Sequence, residues 1–434
     1  MWNRRYGVGI VLLVAAVAIS LYSMQCIGDK QDASSAEAKG VQESGNTSGD
    51  ANMKPPSTLE EARKAVAAFY SSSGPEPLPL QGDKPGLFFL YASEFERNGW
   101  LQLGLEQYDE IARRWPDDYE TVIKAVWGKA RMLGKLGKYS AAHQTVEELL
   151  TRYRDSSIVL PDGRPLYTHV VTYVYHCKES LYRKAGDYLK AADAIQRIQE
   201  LYLNPSDEQS KAYMSAHPER SRWTGRVNLA YEIADLCQAG GDAARALALY
   251  QDILAYMSQN PVPSGDKPLH HARYYREQVY GIPVAIADCL IEMGKPRAAL
   301  DKLEQVARAL QLKAVRERMV TPAAGEEEAK SGRLSFHEYD VVVVEYLRKV
   351  DLPIRLGKCR MKLGGWGNAL RWLKQAEAAF ADRAFYSNAQ SMFKSRPLPM
   401  GLQRIGDKEL DKIKKEELPA LIKQSAGKAK KAPR

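Results

Sequence analysis

The residues of this 434-residue chain best able to do chemistry are its seven histidines and five cysteines, and their spacing assembles no reaction centre. No His-Glu-x-x-His stretch occurs, and the adjacent pair His270-His271 would point to different faces of a helix, so it reads as a polar surface pair. No Cys-x-x-Cys occurs, which disfavours zinc and thioredoxin-like exchange. Cys177, Cys237, Cys289 and Cys359 read as small buried core residues. A Cys237–Cys289 disulfide in an oxidising compartment is the alternative, but neighbouring helices usually hold their Cα atoms too far apart for one. Gly7-Val8-Gly9 lies in an apolar run, and Gly364-Gly365-Trp366-Gly367 lacks the preceding strand that a phosphate loop requires. There is no Gly-x-Ser-x-Gly elbow. The expectation is a protein without catalytic residues, cofactor or metal.

What does recur is a structural marker. Gly241 has Ala234 seven residues before it and Ala246 five after it, followed by Tyr250 and Ile253. Two antiparallel helices joined by a short turn must approach closely, small residues at two facing points permit that, and the glycine reverses the chain. Gly99 repeats the spacing with Ala92, Gly104, Tyr108 and Ile111, Gly137 with Ala130, Ala142, Val146 and Leu149, and Gly294 with Ala287, Ala299, Leu303 and Val306. Gly364 does so with Gly357, Ala369, Leu373 and Ala376. Gly186 keeps Ala191, Ile195 and Ile198 but has Glu179 where a small residue belongs. Each hairpin of this kind leaves an apolar face that only the next one covers, which predicts a stack.

The pattern resembles the tetratricopeptide repeat (TPR), a helix–turn–helix unit of about 34 residues. The marker glycines lie 38 to 70 residues apart, so insertions or extra helices separate the later units. The resemblance implies an all-α, right-handed superhelical solenoid of about six hairpins over residues 85–382, with a concave groove lined by first-helix residues. Offsets from the marker glycines carry that lining onto Phe89, Ser93 and Glu96, onto Trp127, Arg131 and Lys135, and onto Tyr173, His176, Arg183 and Lys184. They add Asn228, Tyr231 and Asp235 in the fourth unit and Lys358 and Lys362 in the sixth. The candidate partner-binding set is Trp127, Arg131, Lys135, Tyr173, His176, Arg183, Lys184, Asn228 and Tyr231. Arg and Lys supply donors for carboxylates, and Trp and Tyr offer amphipathic contact area, so the expected occupant is a protein or peptide segment of acidic character.

Ahead of the repeats, Arg4 and Arg5 precede 19 uncharged residues, Tyr6–Met24, long enough to cross a bilayer core with the arginines on the cytoplasmic side. Residues 1–26 therefore read as a signal anchor, with cleavage after Ala16-Val17-Ala18 or lipidation at Cys26 as alternatives. Each alternative places the body outside the cytoplasm, either as a single-pass membrane protein with a periplasmic or extracellular C-terminal domain, or as a secreted periplasmic one. Residues 27–57 hold too few apolar side chains to offset chain entropy and read as a disordered linker. Residues 58–84 read as an amphipathic lead-in helix and a Pro-containing loop.

Between the units, Asp155–Pro165 holds a Pro-Asp-Gly turn, and Pro205–Arg222 and Gln259–Pro268 read as insertions. Thr321–Arg333 is Glu-rich and expected to be mobile. Val341–Val344 favours a strand by composition, but the spacing of Tyr339–Leu347 leads into Leu352–Leu363 and predicts helix despite Pro353. Residues 383–434 form a C-terminal extension: Phe385–Arg404 shows no clear pattern, Lys408–Lys423 reads as a short helix broken at Pro419, and Gln424–Arg434 reads as a disordered basic tail.

The net charge of +9 is uneven, since from Lys408 onward nine Lys/Arg face four Asp/Glu. The body is only mildly basic, and no nucleic-acid motif is present, so nucleic acid is not an expected partner. The tail reads as a solvated end or as a contact to an anionic surface. The functional expectation is a non-catalytic, membrane-tethered TPR scaffold that binds protein or peptide partners in the cell envelope. The alternatives are an accessory subunit of an envelope enzyme or cell-wall-processing complex, and a structural protein that self-assembles along its solenoid.

Overall fold

The computed structural model describes residues 56–73, 84–260, 268–322, 336–395, 398–400 and 403–430. The expected membrane segment Tyr6–Met24, with Ala16-Val17-Ala18 and Cys26, lies outside the described residues, as do nearly all of the linker and most of Gln259–Pro268 and Thr321–Arg333. Among the described residues no helix is long and apolar enough to cross a membrane.

Helix α1 (Leu59–Ser73) leads into α2 (Pro85–Arg97) and α3 (Leu101–Arg114), the first hairpin. The second is α4 (Tyr119–Lys135) with α5 (Tyr139–Tyr153), and the third α6 (Leu166–Lys184) with α7 (Tyr188–Leu203). After α8 (Glu208–Ala216) and α9 (Pro218–Trp223) comes the fourth, α10 (Ala230–Ala239) with α11 (Ala243–Gln259). Helix α12 (Pro268–Arg276) precedes the fifth, α13 (Ile282–Glu292) with α14 (Pro296–Gln311). Helices α15 (Lys313–Arg318) and α16 (Phe336–Tyr346) precede the sixth, α17 (Leu352–Lys362) with α18 (Trp366–Ala381). The chain closes with α19 (Arg383–Ser395), a short antiparallel pair β1 (Leu398–Met400) and β2 (Gln403–Ile405), α20 (Asp407–Lys412) and α21 (Leu418–Ala429). Among the described residues the fold is thus helical apart from that small hairpin and an isolated bridge of Val159 with Pro165, and it is TPR-like: each second helix packs on its own first helix and on the next one.

The six marker glycines, Gly99, Gly137, Gly186, Gly241, Gly294 and Gly364, all have φ between 72° and 84°. The following residue donates its N–H to the carbonyl five residues back, as Trp100 does to Phe95 (2.8 Å), Asp242 to Cys237 (2.8 Å) and Gly365 to Arg360 (2.9 Å). These are glycine-closed helix ends of the Schellman type. A Cβ added at Gly241 would meet nothing within 4 Å, so Gly241→Ala tests the backbone alone. The expected loss is about 1–2 kcal/mol, the cost of a left-handed alanine, seen as a lower urea midpoint with unchanged slope. No loss would mean that the turn does not need glycine.

The small positions behave as their spacing requires: Ala92, Ala130, Ala142, Ala191, Ala234, Ala246, Ala287, Ala299 and Ala369 are all fully buried. Glu179, the exception in the third unit, is buried too, and its carboxylate accepts from Arg183 Nε one turn on at 2.6 Å. The departure from the pattern is therefore accommodated by a local ion pair.

The later first helices are longer than the marker spacing shows. α9 continues into α10 through Thr224–Leu229, α12 into α13 through Glu277–Gly281, α16 into α17 through Leu347–Asp351, and α20 into α21 through Ile413–Glu417. All four joints are π-wound, with bonding that skips to the fifth residue. Three lead straight into proline, at Ile282-Pro283, Leu352-Pro353 and Leu418-Pro419. Proline lacks an N–H and crowds the carbonyl four residues back, and a wider turn carries the helix past both problems. The expected break at Pro419 is corrected on that ground, while Tyr339–Leu347 is helical as its spacing predicts.

Two further readings change. Pro205–Arg222 is not a bare insertion but holds α8 and α9. Asp207 caps α8 by accepting from Ser210 N (2.8 Å), and a buried Thr168–Ser210 hydroxyl pair (2.6 Å) ties that helix to α6. Gln424–Ala429 is the end of α21 rather than disordered tail: it packs on α18 with Ser425 fully buried, because Leu418, Leu421 and Ile422 give it an apolar edge that its Ala/Gly/Lys composition hides. Pro419 and Ser425 match Pro283/Cys289 and Pro353/Cys359 in spacing, so α21 stands where the first helix of a seventh unit would. Its outward side leaves Pro419, Ala420, Lys423, Gln424 and Gly427 exposed.

Candidate functional site

Successive first helices lie side by side, and at four of their junctions polar groups join them. Between α2 and α4, Glu96 accepts from Arg131 and from Lys135 Nζ (3.0 Å). Between α6 and α10, Arg183 pairs with Glu179 and reaches Glu232 at 3.9 Å. From α10 to the π turn before α13, the Tyr231 hydroxyl donates to Glu277 Oε2 at 3.4 Å. At α17, Arg355 donates through Nη1 to Asp288 of α13 and through Nε to Asp351 of the π turn (2.7 Å), and the Tyr280 hydroxyl donates to Asp351 as well. Farther along the same junction, Arg276 Nη1 and the Thr321 N–H both donate to the buried Asp340, at 2.7 and 2.9 Å.

Burial sets the electrostatics of this ladder. It raises the carboxyls of Glu179, Glu277 and Asp288 above their ordinary values against the pull of nearby arginines. Asp235 is pushed up to about 7, first by burial and then by the carboxylates of Glu277 and Glu232, while the hydroxyl that Tyr250 donates and the Arg183 charge oppose the rise. These shifted groups are held by neighbours on the same face. Among the described residues no group of three His, Cys, Asp or Glu is placed to hold a metal.

The expected groove residues divide under this geometry. Trp127 is a correction: it is 5% exposed and packs in the core with Tyr108 and Ala130, so it does not line a groove. Its offset points inward because a large ring at the close approach of two hairpins is covered by them. Arg131 and Lys135 come together on Glu96, and Arg183 is mostly buried between Glu179 and Glu232. His176, Lys184, Asn228, Lys358 and Lys362 are exposed, whereas Tyr173, Tyr231 and Asp235 are half-buried. Asn228 Oδ1 accepts from the Tyr274 hydroxyl at 3.4 Å. In the first unit Ser93 is exposed, and half-buried Phe89 lies against Tyr108.

Of the cations expected to meet an acidic partner, Arg131, Lys135 and Arg183 are therefore already engaged by carboxylates, Glu96 and Glu232 among them one helix over, which offset-counting within a single unit does not register. Sequence reasoning missed Glu179, Glu232, Glu277, Tyr280, Asp288, Asp351 and Arg355. One signal was present: Asp235 and Asp288 stand six residues before their marker glycines, where Arg131 and Lys358 stand in other units. A charged residue recurring at one offset in four of the six units marks a charged face down the stack.

The four cysteines among the described residues are buried and none is in a disulfide, so the Cys237–Cys289 bond is not made. Burial pushes the Cys289 thiol up to about 12, and Cys359 Sγ donates to the Pro296 carbonyl at 3.1 Å. His271 is an exposed residue of helix α12.

No family model matches the chain, and no curated protein matches it. Among solved structures, the chain is similar to a putative kinesin light chain from Podosopora anserina with nearly identical TPR-like repeats (16% identity, 60% of this chain and 97% of that one, TM-score 0.33). It is also similar to a tetratricopeptide repeat protein from Parabacteroides merdae (14% identity, 85% and 92%, TM-score 0.29). A third is the TPR2AB domain of yeast Sti1 in its pHSP90 complex (13% identity, 77% and 95%, TM-score 0.23). Likeness at these scores carries no argument about function, and the TPR-like description stands on the chain's own glycine-closed hairpins.

Proposed function

We propose that this chain is a non-catalytic scaffold that holds a protein or peptide segment along the first-helix face of units two to four. The observation that carries the reading is the repetition itself. Six hairpins turn on the same glycine geometry, so their first helices form one continuous face on which Lys135, His176, Lys184 and Asn228 are exposed beside half-buried Tyr173 and Tyr231. Such a face offers amphipathic rings and hydrogen-bonding groups to an extended or helical ligand. With Arg131 and Arg183 engaged by Glu96, Glu179 and Glu232, the ladder supports a partner segment that brings donors and cations of its own over an acidic one.

We further propose that residues 1–26 tether the scaffold to a membrane with the solenoid on the outer side, on the strength of the uncharged run Tyr6–Met24 behind Arg4 and Arg5. Photocrosslinking residues placed at His176, Lys184 and Asn228 are expected to capture a partner in native membranes, whereas the same residues at exposed second-helix positions Glu148 and Gln305 are not. Capture from Glu148 and Gln305 alone would remove the first-helix face as the site. Deleting residues 1–26 is expected to release the chain from the membrane fraction, and retention would remove the tether.

A further inference from the structure

Three first-helix segments converge around Asp235. Its own helix α10 contributes Glu232 and Tyr231, α6 contributes Glu179 and Arg183 with His176 beside them, and the π turn before α13 contributes Glu277, flanked by Arg273 and Arg276. On the fourth side, Tyr250 of α11 donates its hydroxyl to Asp235. The charged pair on α7 and α11, Asp193 with Arg245 (3.1 Å), is satisfied at the surface. The count is unequal, with four carboxylates facing Arg183 and the exposed Arg273, since Arg276 is committed to Asp340. The contacts bridging the helices are long, 3.9 Å from Arg183 to Glu232 and 3.4 Å from Tyr231 to Glu277. The next junction, by contrast, is closed by Arg355 with two carboxylates and a tyrosine.

We propose that the junction of α6, α10 and the Glu277–Gly281 turn is a proton-operated hinge that sets the spacing of the first helices in units three to five. With Asp235 protonated, a neutral carboxyl faces the charges of Glu232 and Glu277, and the three helices close up. With Asp235 ionised, like charges face each other in a poorly solvated space and the helices spread, because repulsion there is screened far less than at the surface. The surrounding burial and carboxylates place that change at about pH 7. The sign follows from the raised value: the closed form binds the proton more tightly than an unstrained aspartate does, so closure is favoured below the midpoint and lost as pH rises through it. The hinge lies under the face proposed to hold a partner, but its operation is independent of whether a partner binds there.

The test uses the full chain with spin labels carried by non-canonical amino acids at Lys184 and Lys295, the turn-proximal ends of units three and five. The interlabel distance is expected to lengthen between pH 5 and pH 8 with a midpoint near 7. Asp235→Asn, whose amide oxygen still accepts from Tyr250, is expected to hold the short distance at both pH values. Glu232→Gln, which removes one repelling neighbour, is expected to lower the midpoint. Asp193→Asn is expected to leave the transition as it is. A wild-type distance that ignores pH, a transition surviving in Asp235→Asn, or an unmoved midpoint in Glu232→Gln would each overturn the hinge. Loss of partner crosslinking with an intact pH transition would bear on the scaffold reading alone.

Discussion

Arg355→Ala is expected to cost about 3 kcal/mol, the largest loss from any one charge in the ladder. Its guanidinium lies between Asp288 and Asp351 with side-chain exposures of 23%, 33% and 13%, so all three groups are largely withdrawn from water. Removing one member of a buried pair leaves an uncompensated charge, which typically costs about 3–5 kcal/mol, and the partial exposure of Asp288 sets the expectation at the lower end. Two carboxylates would then face each other across the α13–α17 junction. Hydrogen exchange should show the loss as opening of α13 and α17, with little change in α2–α5, because a stack couples mainly its nearest neighbours. Combining Arg355→Met with Asp288→Asn and Asp351→Asn should recover most of it, since the uncompensated charge is then gone. A single variant within 0.5 kcal/mol of wild type, roughly the scatter of surface substitutions, would show that the ladder does not hold these units together.

Gly128→Leu is expected to cost about 3 kcal/mol, at the upper end of overpacking. A Cβ at Gly128 would lie 2.1 Å from Cζ of Tyr108, a residue 4% exposed. A packed ring cannot bend away, so α3 and α4 must separate. Gly104 gives the contrast. A Cβ there would meet the Sδ and Cε of Met132, the far end of a flexible thioether. Gly104→Ala should therefore cost less than Gly128→Ala, because methionine repacks. Chemical denaturation of the two alanine variants checks the order, and equal costs would contradict an account in which the neighbour's stiffness decides.

These effects bear on what could be read from the chain. The hairpins were legible because their determinants are short-range: Gly241, Ala234 and Ala246 lie within a dozen residues and act on one turn. Contacts between units were not, because each joins residues far apart in sequence. Glu96 and Arg131 are separated by 35 residues and Asp288 and Arg355 by 67, and no local period connects them. The same blindness made Arg131 and Arg183 look available and Trp127 look exposed. The end of the chain was misread for a different reason. Composition describes Gln424–Ala429 as a tail, but burial of Ser425 depends on α18, which composition does not see.

The wide joints at Glu277–Gly281, Leu347–Asp351 and Ile413–Glu417 fix a phase as well as bypass a proline. One amino acid is looped into each, so the upstream stretch is indexed to the downstream stretch by a single added step. Deleting that step would swing everything before it by about 100°, the rotation of one helical residue. Asp340 would then leave Arg276, and the aliphatic edge of Phe336–Tyr346 would turn toward water. Insertions that a surface loop would absorb without consequence are, at these three places, changes of rotational setting, so the length of the chain there is under tighter constraint than the identity of its side chains.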